Sequence, residues 1–184
     1  MRVLRSILLA VVAGSSSAVL ADAIDINLNN DTIQAAYITN WRAADLQVGA
    51  LYNNNKDAWV ADVGLLAMGN KQVSGSRSAA GLGGKIYAAS VGSQDLLALG
   101  LGGQFRVFPT NGQVGIGGYA FYAPNIVTMV DGKKFWEAGL SLEYEVVKNS
   151  ASVYIGYRKV RADFDNGGHA TLDSGGHAGV RINF

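Results

Sequence analysis

The chain has 184 residues, with 24 glycines, 2 prolines and no cysteine, and 49% of it is hydrophobic while only 16% is charged. Half the chain being apolar excludes a disordered polymer, and glycine without a Gly-X-Y period excludes collagen. A formal net charge of +1 offers no basic surface for nucleic acid, and the lack of cysteine removes disulfides, thiolate nucleophiles and Cys-ligated metal centres.

Residues 1–21 read as a cleaved secretory signal. Arg2 and Arg5 form a positive start, Ile7 to Ala13 form a short apolar run, and Ala18-Val19-Leu20-Ala21 offers small residues for cleavage after Ala21. The apolar run is much shorter than the roughly 20 residues a spanning helix needs. Cleavage leaves 13 basic against 14 acidic side chains, so residues 22–184 form one near-neutral exported domain. A cysteine-free composition suits an oxidising compartment.

Beyond Ala21 the dominant period is two, the period of a strand with one apolar face. It predicts ten strands: 24–29, 32–41, 45–53, 57–69, 78–90, 95–108, 112–123, 134–147, 151–164 and 175–184. In the sixth, Leu97, Leu99, Leu101, Phe105 and Val107 alternate with Ala98, Gly100, Gly102, Gln104 and Arg106. Turn clusters such as Pro109-Thr110-Asn111-Gly112 and Lys148-Asn149-Ser150 punctuate the series. Asn29-Asn30-Asp31 reads either as a hairpin or as a bend within one strand, and the second choice leaves eight strands.

Strands of soluble domains run to about 5 to 6 residues, whereas a tilted strand needs roughly 9 to 11 to cross a bilayer. Most of the predicted strands meet the longer requirement. The connections alternate as well: 165–174 and 124–133 read as long loops, 148–150 and 109–111 as tight turns. Together these features predict an all-β fold, a closed antiparallel transmembrane barrel with both termini periplasmic. Hydrocarbon leaves no water for an orphan N–H or C=O, so such a sheet must close on itself. Pro109 and Pro124 fall at strand ends, where they break no ladder.

Alternation alone does not say which face is inside, and a soluble periplasmic ligand-binding barrel is the competing arrangement. Three features favour apolar-outward. The polar face is rich in Gly, Ala and Ser. Aromatic residues on the apolar face concentrate at strand ends, with Tyr52, Trp59, Tyr122 and Trp136 toward the outer loops and Trp41, Phe105 and Tyr144 toward the periplasmic turns, as two interfacial girdles would. Finally, Ala178, Val180, Ile182 and Phe184 form a last alternating strand ending on an aromatic, which resembles the assembly signal of bacterial outer-membrane barrels.

This phase directs Asp45, Gln47, Asp62, Lys85, Tyr87, Gln104, Arg106, Gln113, Tyr119, Glu137, Glu143, Glu145, Arg158, Arg181 and Asn183 into the lumen. Charges of both signs in a narrow low-dielectric space predict pairing of Arg106, Arg158 and Arg181 with Asp62, Glu143 and Glu145, which would plug the barrel. The alternative is a narrow polar path for small solutes lined by the same side chains. An outer-membrane enzyme acting on lipid or peptide is a third reading, with Ser174, His177 and Asp173 as its candidate triad. Sequence neighbours do not readily adopt triad geometry, and Gly175 and Gly176 suggest a mobile turn, so no catalytic residue is assigned. The segment 163–168 lacks the spacing and the closing Glu of a calcium loop, so no metal is assigned. The runs Gly81–Gly84 and Gly100–Gly103 lie inside strands and open no helix, so no nucleotide or other cofactor is expected. Such glycines suit close packing in the lumen. The expected partners are outer-membrane lipids, lipopolysaccharide and, during biogenesis, the barrel-assembly machinery, with small solutes under the pore reading.

Several segments, taken in order, resemble the YfaZ family of small bacterial outer-membrane proteins. They are Asp22-Ala23-Ile24-Asp25-Ile26-Asn27-Leu28, Gly83-Gly84-Lys85-Ile86-Tyr87, Gly102-Gly103-Gln104-Phe105-Arg106, Gly118-Tyr119-Ala120-Phe121-Tyr122-Ala123-Pro124, Ile155-Gly156-Tyr157-Arg158 and Val180-Arg181-Ile182-Asn183-Phe184. The resemblance implies an exported barrel in the outer membrane of a Gram-negative bacterium, in a family often described as porins without an established substrate. It carries over no catalytic residues.

Overall fold

The computed structural model describes residues 22–42, 44–73, 75–109, 112–165 and 167–184; the expected signal lies outside them. The elements are β1 (Ala23–Leu28), β2 (Thr32–Trp41), β3 (Ala44–Asn53), β4 (Ala58–Val73), β5 (Ser76–Val91), β6 (Gln94–Phe108), β7 (Val114–Ala123), a 3-10 turn (Asn125–Val127), β8 (Thr128–Val130), β9 (Gly132–Val147), β10 (Ala151–Phe164) and β11 (His169–Asn183). All pairings are antiparallel, running from β1 through β7 to β9, β10 and β11 and back to β1, so ten strands close the wall. The short β8 pairs with β6 through Leu96↔Val130 and Ala98↔Thr128, completing the wall where β7 stops.

The Asn29–Asp31 segment is a hairpin, and the eight-strand alternative is set aside. Asn29 Oδ1 accepts from the backbone N–H groups of Asp31 and Thr32 at 2.9 and 2.7 Å, a local turn that a bent strand would not make. β1 then pairs with β11 from Ala23↔Asn183 to Leu28↔Ala178. Two backbone bonds extend the seam, Asp22 N to Phe184 O at 3.0 Å and Phe184 N to Asp22 O at 2.8 Å.

The loop asymmetry expected from sequence is much reduced. The connection expected at 165–174 is only 165–168, because β11 starts at His169 and includes Gly175 and Gly176. Segment 124–133 is occupied by the 3-10 turn, β8 and the start of β9. An extended backbone pairs its amides with neighbouring strands even where side chains are small, so the glycine pair signals no turn here.

The hydrophobic pattern is inside-out. Exposed large apolar residues run round the wall, from Ile24 and Ile26 on β1 through Leu101 at 67% and Leu140 at 65% to Val180 and Ile182 on β11. Soluble monomers rarely expose a continuous apolar belt of this kind. Inward positions instead carry Asp25, Asn27, Asp62, Lys85, Glu137, Glu143 and Arg158, all buried.

Candidate functional site in the barrel lumen

The wall has two ends. The hairpin end carries connections 29–31, 54–57, 92–93, 124–131 and 165–168; the terminal end carries both termini and the turns joining β2 to β3, β4 to β5, β6 to β7 and β9 to β10. Strand alternation decides which side chains enter the lumen, and their distance from each end decides what they meet there.

Toward the hairpin end the interior is apolar. Leu51, Val60, Leu66, Tyr87, Ala89, Leu96, Ala98, Phe121, Ala123, Phe135, Val160, Ala162, Phe164 and Leu172 form one cluster, none more than 5% exposed. Except for Leu66, each lies within the five strand residues next to a hairpin. The rings of Tyr87 on β5 and Phe135 on β9 approach to 4.5 Å between centroids, although β6 and β7 separate those strands in the wall, so the cluster bridges the lumen. A bulge at Val160/Arg161 assists: β11 gains one residue there, and both Leu172 and Asp173 are buried.

Beneath and beside this cluster lie charged networks. Lys85 Nζ sits 3.3 Å from Asp62 and 3.1 Å from Glu137, and Tyr87 donates to the same Glu137 oxygen at 2.8 Å. Arg158, 1% exposed, donates from Nε to Asp173 at 2.7 Å and from Nη1 to Asn27 at 2.8 Å, and also reaches Gln34. Asp173 accepts further bonds from Asn29 and Thr32, each at 3.0 Å. Tyr154 and Arg181 both donate to Asp25, Arg181 Nε at 2.8 Å. Arg106 Nε donates to Glu143 at 3.0 Å, and Arg77 Nη1 to Glu145 at 2.9 Å.

The predicted partner set is therefore revised. Arg106 does pair with Glu143, but Arg158 takes Asp173, Arg181 takes Asp25, Glu145 takes Arg77, and Asp62 takes Lys85. Gln104 Nε2 donates to the Met68 sulfur at 3.8 Å. Arg181 with Asp25, Arg158 with Asp173 and Lys85 with Asp62 join neighbouring strands, whereas Arg106 with Glu143, Arg77 with Glu145 and Lys85 with Glu137 reach two or three strands round the wall, where strand tilt sets a stagger that sequence alone does not supply.

Sequence reasoning missed Asp25, Asn27, Gln34, Tyr154, Asp173 and His177 in the lumen. Asp25 and Asn27 were legible from alternation with Ile24 and Ile26, and Tyr154 from its parity with Arg158. Asp173 was not, because its position depends on the bulge. The candidate triad does not converge: Ser174 is exposed and shares a hydrogen bond with Tyr157 on the outer face, while Asp173 is buried inside and His177 lines the interior.

The inward glycines make room for these side chains. A Cβ on Gly64 would meet the Lys85 chain at 2.7 Å, one on Gly117 the Glu143 carboxylate at 2.6 Å, and one on Gly139 the Tyr119 ring at 2.7 Å. What remains unfilled is a cup of about 580 Å³ in the terminal half, with Asn40, Asp45, Asn70 and Asn183 near its mouth and Lys85 and Glu137 at its floor. Such an arrangement can hold water and small polar solutes against a lining of paired charges.

On the outer face, Trp41, Tyr52, Trp59, Phe105, Tyr122 and Tyr144 are exposed and Trp136 is half-buried. Phe184 directly follows β11 and is 64% exposed.

No curated protein matches this chain. Among solved structures, it is similar to the crystal structure of the outer membrane channel DcaP of Acinetobacter baumannii, at 11% identity and a TM-score of 0.39, over 87% of this chain and 54% of that one. The chain thus spans about half the length of that channel. The model of the family described as YfaZ precursor matches residues 1–184, the whole chain, and the protein belongs to that family.

Proposed function

We propose that the protein is an integral barrel of the outer membrane of a Gram-negative bacterium, with both termini periplasmic, serving as a structural barrel and not as a conducting porin. The apolar belt supports the membrane setting: side chains such as Leu101, Leu140 and Ile155 offer a surface that lipid solvates and water does not. The outward aromatics near both strand ends suit the two interfaces, and Phe184 serves recognition by the assembly machinery. The observation that carries the non-conducting reading is the buried apolar cluster bridging the lumen at the hairpin end. An ion entering from the terminal cup meets apolar packing where it would have to shed its hydration without compensation.

Planar-bilayer recording tests this. The mature protein, confirmed as folded by its heat-modifiable gel migration, is expected to give no sustained conductance steps. Reproducible ohmic steps would establish a continuous path and replace this reading with the narrow-porin one.

A further inference from the structure

Among the described residues, the basic side chains on outward strand positions near the hairpin end lie in one sector, Lys56 standing apart in the 54–57 connection. Lys134 on β9 and Lys159 and Arg161 on β10 sit at outward positions, brought together by the register Lys134↔Asp163, Trp136↔Arg161 and Ala138↔Lys159. Lys159 Nζ lies 5.7 Å from the centroid of the Trp136 ring. Arg161 pairs with Asp163 at 3.0 Å, whereas neither Lys134 nor Lys159 is ion-paired among the described residues. The equivalent outward positions elsewhere are Leu28, Ile33, Tyr52, Trp59, Ser90 and Asp95, none of them basic.

Further along the same two strands, toward the terminal end, the outer wall holds an apolar groove of about 440 Å³ lined by Phe105, Ile116, Leu140, Leu142, Ile155 and Gly156. Lys159 and Ile155 are four residues apart on β10, roughly 13 Å at the usual strand rise. A cationic patch lies at one end of this site and an apolar trough at the other, a match for an amphiphile with an anionic head and acyl chains.

We propose that this sector of β9 and β10 is a binding site for a phosphate-bearing acylated lipid of the lipid A class, with Lys134, Lys159 and Arg161 on the phosphate and the groove on an acyl chain. Lysine and arginine at a membrane surface attract anionic headgroups, and phosphate accepts the charge-assisted hydrogen bonds these side chains donate. Trp136 lies within the cationic patch, level with Arg161 and beside Lys159, where an amphipathic ring suits an interface. The acidic Asp95, Asp131 and Asp165 lie beyond the patch, in or beside the hairpins.

This inference rests on the membrane reading, and the experiment separates their failures. The mature protein is first tested for insertion into vesicles. It is then titrated in detergent micelles with lipid A, dephosphorylated lipid A or inorganic phosphate, with native mass spectrometry as readout. The expected result is lipid A binding that weakens at least tenfold in Lys134→Gln/Lys159→Gln/Arg161→Gln, weakens in Leu140→Asn, and is unchanged in Lys71→Gln, a basic position at the opposite end of the wall. Dephosphorylated lipid is expected to bind at least tenfold more weakly than lipid A, and inorganic phosphate not to displace lipid A. Equal lipid A binding by the triple variant overturns the site while leaving the barrel reading intact. Displacement by phosphate alone overturns the role of the groove. Failure to insert overturns the membrane reading and this site with it.

Discussion

Replacing Arg158 with Met removes the cation at the centre of the most buried polar network in the barrel. The guanidinium is 1% exposed, and its loss leaves the Asp173 carboxylate, itself 2% exposed, with the neutral donors Asn29 and Thr32 among the described residues. The Asn27 and Gln34 oxygens lose the same donor. Breaking a buried pair from one side costs about 3–5 kcal/mol, because one charge stays desolvated without its counterion. Removing both charges in Arg158→Met/Asp173→Leu eliminates that term and leaves unpaired neutral groups, whose costs run to about 1–3 kcal/mol each. The double variant is therefore expected to be destabilised by at least ~1 kcal/mol less than the sum of the Arg158→Met and Asp173→Leu single variants. Equilibrium urea unfolding in detergent micelles, followed by tryptophan fluorescence and by gel migration of the folded form, gives these numbers. An Arg158→Met variant within ~1 kcal/mol of the parent, or single effects that simply add in the double, would refute the assignment of a buried coupled network.

Two further outcomes follow from geometry. A Cβ on Gly83 would lie 2.0 Å from the Leu65 carbonyl oxygen and 2.8 Å from the Leu66 Cα, backbone atoms that cannot rotate away, whereas Gly175 has no atom within 4 Å. Gly83→Ala is expected to cost about 2 kcal/mol or more and Gly175→Ala to stay within ~0.5 kcal/mol, by the same urea titration; equal effects would contradict the tight β4–β5 approach. Because the chain has no native cysteine, single substitutions report sidedness. In intact cells an impermeant maleimide is expected to label Ile126→Cys, at an 88% exposed position in the 3-10 turn, and to spare Lys148→Cys between β9 and β10 until the outer membrane is permeabilised; the reverse pattern would invert the proposed orientation.

Strand identity was legible in the sequence because the period of two is a local property. Leu97, Leu99 and Leu101 alternate with small residues whatever the rest of the chain does, and the long strands from β2 to β10 follow from it with ends shifted by a few residues. Inward placement of Asp62, Lys85, Arg106, Glu143 and Arg158 follows from the same parity once the apolar face is taken as outward. The ends of β4 and β11 were less legible, because 70–73 and 169–174 are largely polar without a clean alternation and become strand by pairing with β5 and β10.

The sequence by itself therefore determined the all-β class, the alternation of the wall and the inward parity of side chains such as Asp62, Lys85, Arg106, Glu143 and Arg158, since each depends on residues close together along the chain. The tertiary structure alone decided how those interior groups combine. Stagger between distant strands joined Lys85 to Glu137, the bulge at Val160 turned Leu172 inward and Asp173 toward Arg158, and residues from β3 to β11 met as an apolar cluster at one end of the lumen. The high glycine content has its physical reason in the same packing: where an inward Gly64, Gly117 or Gly139 leaves the wall bare, a lysine, a glutamate or a tyrosine lies against it.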